Sequence, residues 1–329
     1  MLSSILIPMT LGFILFLLGM RAMELALQRA VGNRLQVVLL KFTRTPLRGM
    51  LVGTAATAVL QSSTAVTVIA IGLVNAGVLT FPRTLGLILG TNIGTCLTTE
   101  LIGLNLNRLG WPLLLSALGL WLATVVFGEL GLGGSRSGGE RSRLRRFMLP
   151  LRSLSVVLGG FALLLIGISL MQSVAPAVQS TRFFHEFLAR AEVSVLWGMA
   201  AGIVLTAMVH SSAAVIGIVM GLAQSGAMPL PIGIAIVLGA NVGTCVTAVI
   251  AALGGTRAGR FVALSHVLLN VGGAALFAPF AAELGAAAAW FTPSPAGQIA
   301  HAQTLFNVLS SLLALPLCYL PSLRKLTPA

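Results

Sequence analysis

Residues 49–98 align without a gap onto residues 198–247, with roughly 21 of about 50 positions identical, so the chain contains an internal duplication. The identities are concentrated in small and polar residues rather than in apolar filler. They include Gly49/Gly198, Ser62/Ser211, Ser63/Ser212, Gly77/Gly226 and Pro82/Pro231, then Gly90-Thr91-Asn92-Ile93-Gly94-Thr95-Cys96 against Gly239-Ala240-Asn241-Val242-Gly243-Thr244-Cys245. One residue out of register, Gly12-Phe13 and Gly19 match Gly160-Phe161 and Gly167, which carries the repeat back into the preceding helix. Beyond Thr98 and Thr247 the likeness fades.

The duplicated parts have to be built for a bilayer. Of 329 residues, 57% are apolar and 8% charged, with a mean hydropathy of +1.01, a balance that a water-soluble domain could not bury. Weakly charged spans recur at residues 2–20, 84–104, 110–128, 154–174, 230–253, 261–280 and 300–320, each long enough as a helix to cross roughly 30 Å of hydrocarbon. The first lacks the basic start of a signal peptide and is kept as a membrane helix. The net charge of +13 sits between the spans, where it reports topology and contact with anionic lipid rather than nucleic acid. Cys96, Cys245 and Cys318 lie in apolar helices without zinc-ligand or redox spacing.

Segments 49–77 and 198–226 are too long for one perpendicular crossing, and each carries a polar interruption near its middle. Either each is a re-entrant hairpin of two half-helices or each is a tilted, broken helix that crosses. Re-entrant hairpins divide the Lys and Arg residues about 17 to 3 between the two sides, whereas crossings divide them about 13 to 7. The positive-inside rule thus favours hairpins and puts the basic loops and the C-terminus in the cytoplasm. Three crossings between corresponding points then invert the second half. The expected fold is an all-α polytopic membrane protein with two inverted repeats, each with a re-entrant helical hairpin, and about seven spanning helices. Residues 1–128 form the first repeat (hairpin 49–77), 129–152 a basic cytoplasmic linker, 153–280 the second repeat (hairpin 198–226), and 281–329 a last helix and short tail. Residues 33–48 and 181–192 are expected to be interfacial helices.

A helix broken inside a membrane exposes free N–H groups at one start and free C=O groups at the other end. At the tips Gln61-Ser62-Ser63-Thr64 and His210-Ser211-Ser212, hydroxyls and free amides head a helix whose positive end suits an oxyanion. Two opposed copies could hold a tetrahedral anion with neutral donors alone. Asn92 and Asn241, set among glycines that permit local unwinding, add further donors or neutral oxygens. Thr95, Thr244, Thr98 and Thr247 offer oxygen to a hard cation such as sodium, and Glu100, whose repeat partner is Val249, is a further sodium or proton candidate. His266 with Asn270, and His301 with Thr304 and Asn307, sit at helical spacing and are expected to make interhelical hydrogen bonds. No nucleophile, base and orienting group can be assembled, so an enzyme is not expected.

QSSTAVT at 61–67, HSSAAV at 210–215, the GTNIGT and GANVGT elements, and SHVLLN with HAQTLFN near the end together resemble the type II sodium/phosphate cotransporter family and its bacterial relatives. The resemblance implies sodium-coupled movement of inorganic phosphate by alternating access, with phosphate between the two tips and sodium nearby. It maps Gln61, Ser62, Ser63 and Thr64 onto the first motif and Ser211 and Ser212 onto the second. His210 and Ala213 depart from the Gln and hydroxyl that the family usually shows there.

The expected partners are phosphate, sodium and the bilayer of the cell's inner membrane, with no cofactor beyond sodium as coupling ion and no nucleic acid. A homodimer and a separate cytoplasmic regulatory protein are open expectations. The rival readings are a sodium- or proton-coupled carrier of sulfate, arsenate or a small carboxylate, and a passive anion channel. The lack of an Arg near either tip counts against a carboxylate.

Overall fold

The computed structural model describes residues 2–128 and 138–321. Nearly all of them are α-helical, and there is no strand among them. In chain order, α1 (Leu2–Phe42) is followed by α2 (Pro46–Leu60) and α3 (Ser63–Asn75), then α4 (Phe81–Gly103) and α5 (Gly110–Gly128). α6 (Gly138–Ser173), α7 (Ala175–Gln179) and α8 (Arg182–Val193) lead into α9 (Val195–Val209) and α10 (Ser212–Gln224). α11 (Leu230–Gly243), α12 (Cys245–Ala252), α13 (Arg257–Phe277), α14 (Ala281–Ala289) and α15 (Pro295–Ala314) complete the fold.

Seven stretches are long and apolar enough to cross a membrane: Ser4–Val31, Phe81–Gly103, Asn107–Phe127, Met148–Ser173, Leu230–Ala252, Arg257–Ala289 and Pro295–Tyr319. They coincide with the seven spans expected from hydropathy. Differences lie at their ends. α1 runs on to Phe42 because no proline or glycine pair stops it before Pro46, so residues 33–42 continue a helix instead of starting an interfacial one. A helix does form in the second stretch expected to be interfacial, 181–192: α8, with Phe184 and Ala191 buried and an exposed Arg182–Glu186 ion pair of 2.6 Å. Of the expected linker, residues 129–137 lie outside the described residues, and from Gly138 onward its Glu- and Arg-rich sequence is already α6. The span at 230–253 breaks at Thr244 into α11 and α12. α15 starts at Pro295, earlier than hydropathy placed it, because Ser294 caps it and Pro295 presets its first turn.

The chain divides into two compact units. The first comprises residues 1–33 and 106–171. Within it α1 and α6 meet through glycines: a Cβ on Gly12 would lie 2.7 Å from the Gly167 carbonyl oxygen, and one on Gly160 would lie 2.5 Å from that of Gly19. Backbones this close admit no side chain, which gives the glycine match between the two helices its physical basis. On α5, Trp111, Leu115 and Leu122 are exposed, as a lipid-facing helix requires.

The second unit comprises residues 34–105 and 172–329. Here duplicated positions make duplicated contacts. A Cβ on Gly90 would collide with the Met50 carbonyl, and one on Gly239 with the Met199 carbonyl. Gly53 meets the Leu87 carbonyl as Gly202 meets that of Ile236, and Gly94 packs on Thr57 as Gly243 packs on Thr206. The α2–α4 and α9–α11 pairs are therefore the same packing unit written twice. Two apolar clusters grow from them, one holding Met50, Leu85 and Leu89 and the other Met199, Ile234 and Leu238, the equivalent positions of each half. Gly77 (φ 70°) and Gly226 (φ 72°) make the left-handed turns between α3 and α4 and between α10 and α11.

Candidate anion and cation site

α2 does not simply kink into α3. Gln61 takes up a left-handed conformation (φ 53°, ψ 28°), Ser62 is extended, and α3 starts at Ser63. In the second copy His210 (φ 56°, ψ 24°) and Ser211 do the same ahead of Ser212. Left-handed backbone costs a residue with a Cβ about 1–3 kcal/mol, and these two positions are among only three such non-glycine residues described. Capping offsets part of that cost. Ser62 Oγ accepts the Ala65 N–H at 3.3 Å, and Ser211 Oγ accepts the Ala214 N–H at 3.2 Å.

The starts of α3 and α10 border one small cavity within the second unit. α3 contributes Ser63, Thr64 and Thr67, and α10 contributes Ser212. Asn92 and Thr95 come from α4, Asn241, Thr244 and Thr247 from the α11–α12 region, and His266 from α13. Among the described residues, no Lys, Arg, Asp or Glu lines it. Any charge it accommodates must therefore be met by hydroxyls, amides, one imidazole and two positive helix ends.

Eight of the residues picked from sequence meet here: Ser63, Thr64, Ser212, Asn92, Asn241, Thr95, Thr244 and Thr247. Six are placed elsewhere. Ser62 and Ser211 act as helix caps. Gln61 turns back, donating from Nε2 to the Ala58 carbonyl and accepting from Thr98 Oγ1 at 2.7 Å, so Gln61 and Thr98 bind each other. His210, in the equivalent position, is exposed. Glu100 faces α15, where His301 Nδ1 lies 2.9 Å from Oε2 and Thr304 Oγ1 donates to Oε1. At 100° per residue, position 100 lies about 140° around α4 from Thr95, which takes its carboxylate off the cavity face.

Thr67 and His266 were missed as lining residues. Thr67 stands one turn beyond Ser63 on the same face, and the His266-x-x-x-Asn270 spacing inside an apolar helix was a signal for an interhelical bond. That bond exists. Asn92 Oδ1 lies 3.3 Å from His266 Nε2, Asn92 Nδ2 donates to Asn270 Oδ1 at 3.2 Å, and Asn270 Nδ2 donates to the His266 carbonyl at 2.9 Å. On α15 the corresponding pair is Gln303 and Asn307, with Asn307 Nδ2 donating to the Gln303 carbonyl at 3.0 Å.

Hydroxyl hydrogens divide the lining chemically. Thr95 donates to the Thr91 carbonyl at 2.9 Å, Thr244 to that of Asn241 at 2.6 Å, and Thr247 to that of Thr244 at 2.9 Å. With their hydrogens so directed, these oxygens present lone pairs, which suit a cation. Thr67 Oγ1 is buried and makes no hydrogen bond, so its hydrogen is available to an anion.

Seven apolar stretches long enough to span a membrane, with a small hydroxyl- and amide-lined cavity among the helices, define a polytopic membrane protein. The chain belongs to the Na+/Pi-cotransporter family, whose profile matches residues 15–132 and 163–309. It is 36% identical over 313 residues to "Uncharacterized protein YqeW" of Bacillus subtilis (strain 168), covering 95% of this chain and 94% of that one. It is 24% identical over 299 residues to "Putative inorganic phosphate export protein YjbB" of Escherichia coli (strain K12), covering 91% of this chain but 51% of that protein. The Salmonella typhimurium protein of the same name is 25% identical over 263 residues, covering 80% of this chain and 44% of its own length. The chain thus spans about half the length of the phosphate-export relatives. No solved structure matches it significantly.

Proposed function

We propose that the protein is a sodium-coupled carrier of inorganic phosphate that works by alternating access. One observation carries this: the capped starts of two duplicated helices, α3 and α10, border the same uncharged cavity. Their free amides and the hydroxyls of Ser63, Thr64, Thr67 and Ser212 receive the phosphate oxygens. Asn92, Asn241 and the outward lone pairs of Thr95, Thr244 and Thr247 hold sodium beside it. Sodium binds first, because a bare multivalent anion in a low-dielectric cavity is costly and a neighbouring cation reduces that cost.

The helix breaks are the tips of re-entrant hairpins in two inverted repeats. Rocking of one repeat against the other exposes the cavity first to one side of the membrane and then to the other. Family membership and the phosphate named in two of the relatives support phosphate as cargo. Net direction follows the combined gradients, so uptake and export are both within reach of one carrier.

Labelled phosphate flux into proteoliposomes under an imposed sodium gradient tests the proposal. Sodium-dependent flux that is lost in Ser63→Ala/Ser212→Ala supports it. Flux indifferent to sodium, or to both serines, contradicts it.

A further inference from the structure

His266 is placed to do more than join two helices. It is 95% buried by its 5% relative exposure, borders the cavity and has one ring nitrogen, Nδ1, with no hydrogen-bond partner. Its protonation pattern follows from its neighbours. Asn270 uses its NH2 group on the His266 carbonyl, so its Oδ1 is the atom that accepts from Asn92. Asn92 accordingly turns its Oδ1 toward His266 Nε2, and a carbonyl oxygen can only accept. Nε2 therefore carries the ring proton, and in the neutral ring Nδ1 is a bare acceptor.

We propose that His266 Nδ1 is a specificity element that selects oxyanions bearing an acidic hydroxyl. The inference rests on the phosphate-carrier reading and deepens it. Near neutral pH inorganic phosphate keeps at least one P–OH, and arsenate keeps its As–OH. Sulfate has no hydroxyl left to donate. A phosphate hydroxyl donates to Nδ1 while Thr67 Oγ1, also buried and without a partner, donates to an anion oxygen from α3. Sulfate would set an oxygen lone pair against the Nδ1 lone pair and leave a buried acceptor unpaired. A site built to hydrogen-bond one hydroxyl rejects analogues lacking it far more strongly than shape alone allows. The Asn92–Asn270 pair fixes the tautomer and so acts as the positioning element.

The test uses the whole chain in proteoliposomes, with labelled phosphate uptake challenged by arsenate, sulfate and monofluorophosphate, the last being a phosphate-like dianion without a hydroxyl. In the wild type, arsenate competes well, while sulfate and monofluorophosphate compete at least about tenfold more weakly. His266→Phe narrows that gap to about twofold or less, whereas Thr67→Val weakens all anions together. Equal competition by arsenate and monofluorophosphate in the wild type overturns the inference without any variant, so it stays testable should His266→Phe fail to fold. Undiminished selectivity in a folded His266→Phe overturns it too, as does a change confined to sodium dependence, which would turn Nδ1 toward the cation. If the wild type moves no phosphate in any gradient, the carrier proposal itself fails; if phosphate moves without such selectivity, only the role of His266 does.

Discussion

Thr98 Oγ1 donates a 2.7 Å hydrogen bond to Gln61 Oε1, tying the left-handed end of α2 to α4. The second copy has no such tie from its exposed His210, and Thr247 instead gives its hydrogen to the Thr244 carbonyl. The two breaks thus share a backbone and differ in how they are held. Thr98→Val keeps the shape and removes the donor. It should cost about 1 kcal/mol, read as a lower unfolding midpoint in detergent, while Thr247→Val should cost less.

Helix caps give a second expectation. Ser62→Ala and Ser211→Ala should each lose about 1 kcal/mol of stability along with phosphate flux, whereas Ser62→Thr and Ser211→Thr should keep most of both. Circular-dichroism melts of the four variants beside their transport rates check this. Equal loss in Thr and Ala variants would mean that the serines contribute something other than a capping oxygen.

Glycine packing makes a third. Gly90→Ala and Gly239→Ala place a methyl on the carbonyls of Met50 and Met199, so each should destabilise by about 1–3 kcal/mol, and by similar amounts because the contacts are equivalent. Gly72 has nothing within 4 Å of where a Cβ would stand, so Gly72→Ala should be neutral or stabilise by up to about 1 kcal/mol. Thermal unfolding of the three proteins separates the two kinds of glycine.

Glu100 belongs to an α4–α15 clamp with His301 and Thr304. Glu100→Gln can still accept from both partners, so phosphate and sodium affinities should stay within about twofold of wild type. Glu100→Leu should lower the unfolding midpoint by removing the acceptor for both groups. Loss of sodium dependence in Glu100→Gln, measured as flux against sodium concentration, would return the carboxylate to the cation site.

Much of this was readable from the residues themselves. The seven spans follow from run length and hydropathy, and the duplicated glycines foretold duplicated packing, because only glycine lets α4 and α11 lie against the carbonyls of Met50 and Met199. The helices break at the polar interruptions seen in the sequence, Gln61-Ser62 and His210-Ser211, but the roles of the residues there were not separable. Nothing in the string Gln61-Ser62-Ser63-Thr64 says which serine turns its hydroxyl onto its own helix and which reaches the cavity. That depends on the left-handed turn at Gln61. Thr67 and His266 were lost for a different reason: a cavity is defined by helices distant in sequence, and His266 meets Asn92 only once α13 has packed against α4. For Glu100 the limit is geometric: rarity of charge in a membrane span marks importance, while rotation about the helix axis decides what the charge faces.

The most direct test of the central claim is phosphate flux in sealed proteoliposomes with sodium, lithium or protons as the sole driving gradient. The account predicts concentrative phosphate movement under the sodium gradient, collapse of that movement when the gradient is dissipated, and its loss in Ser63→Ala/Ser212→Ala. Phosphate flux that proceeds equally in lithium, or that follows a proton gradient in the absence of sodium, would contradict it.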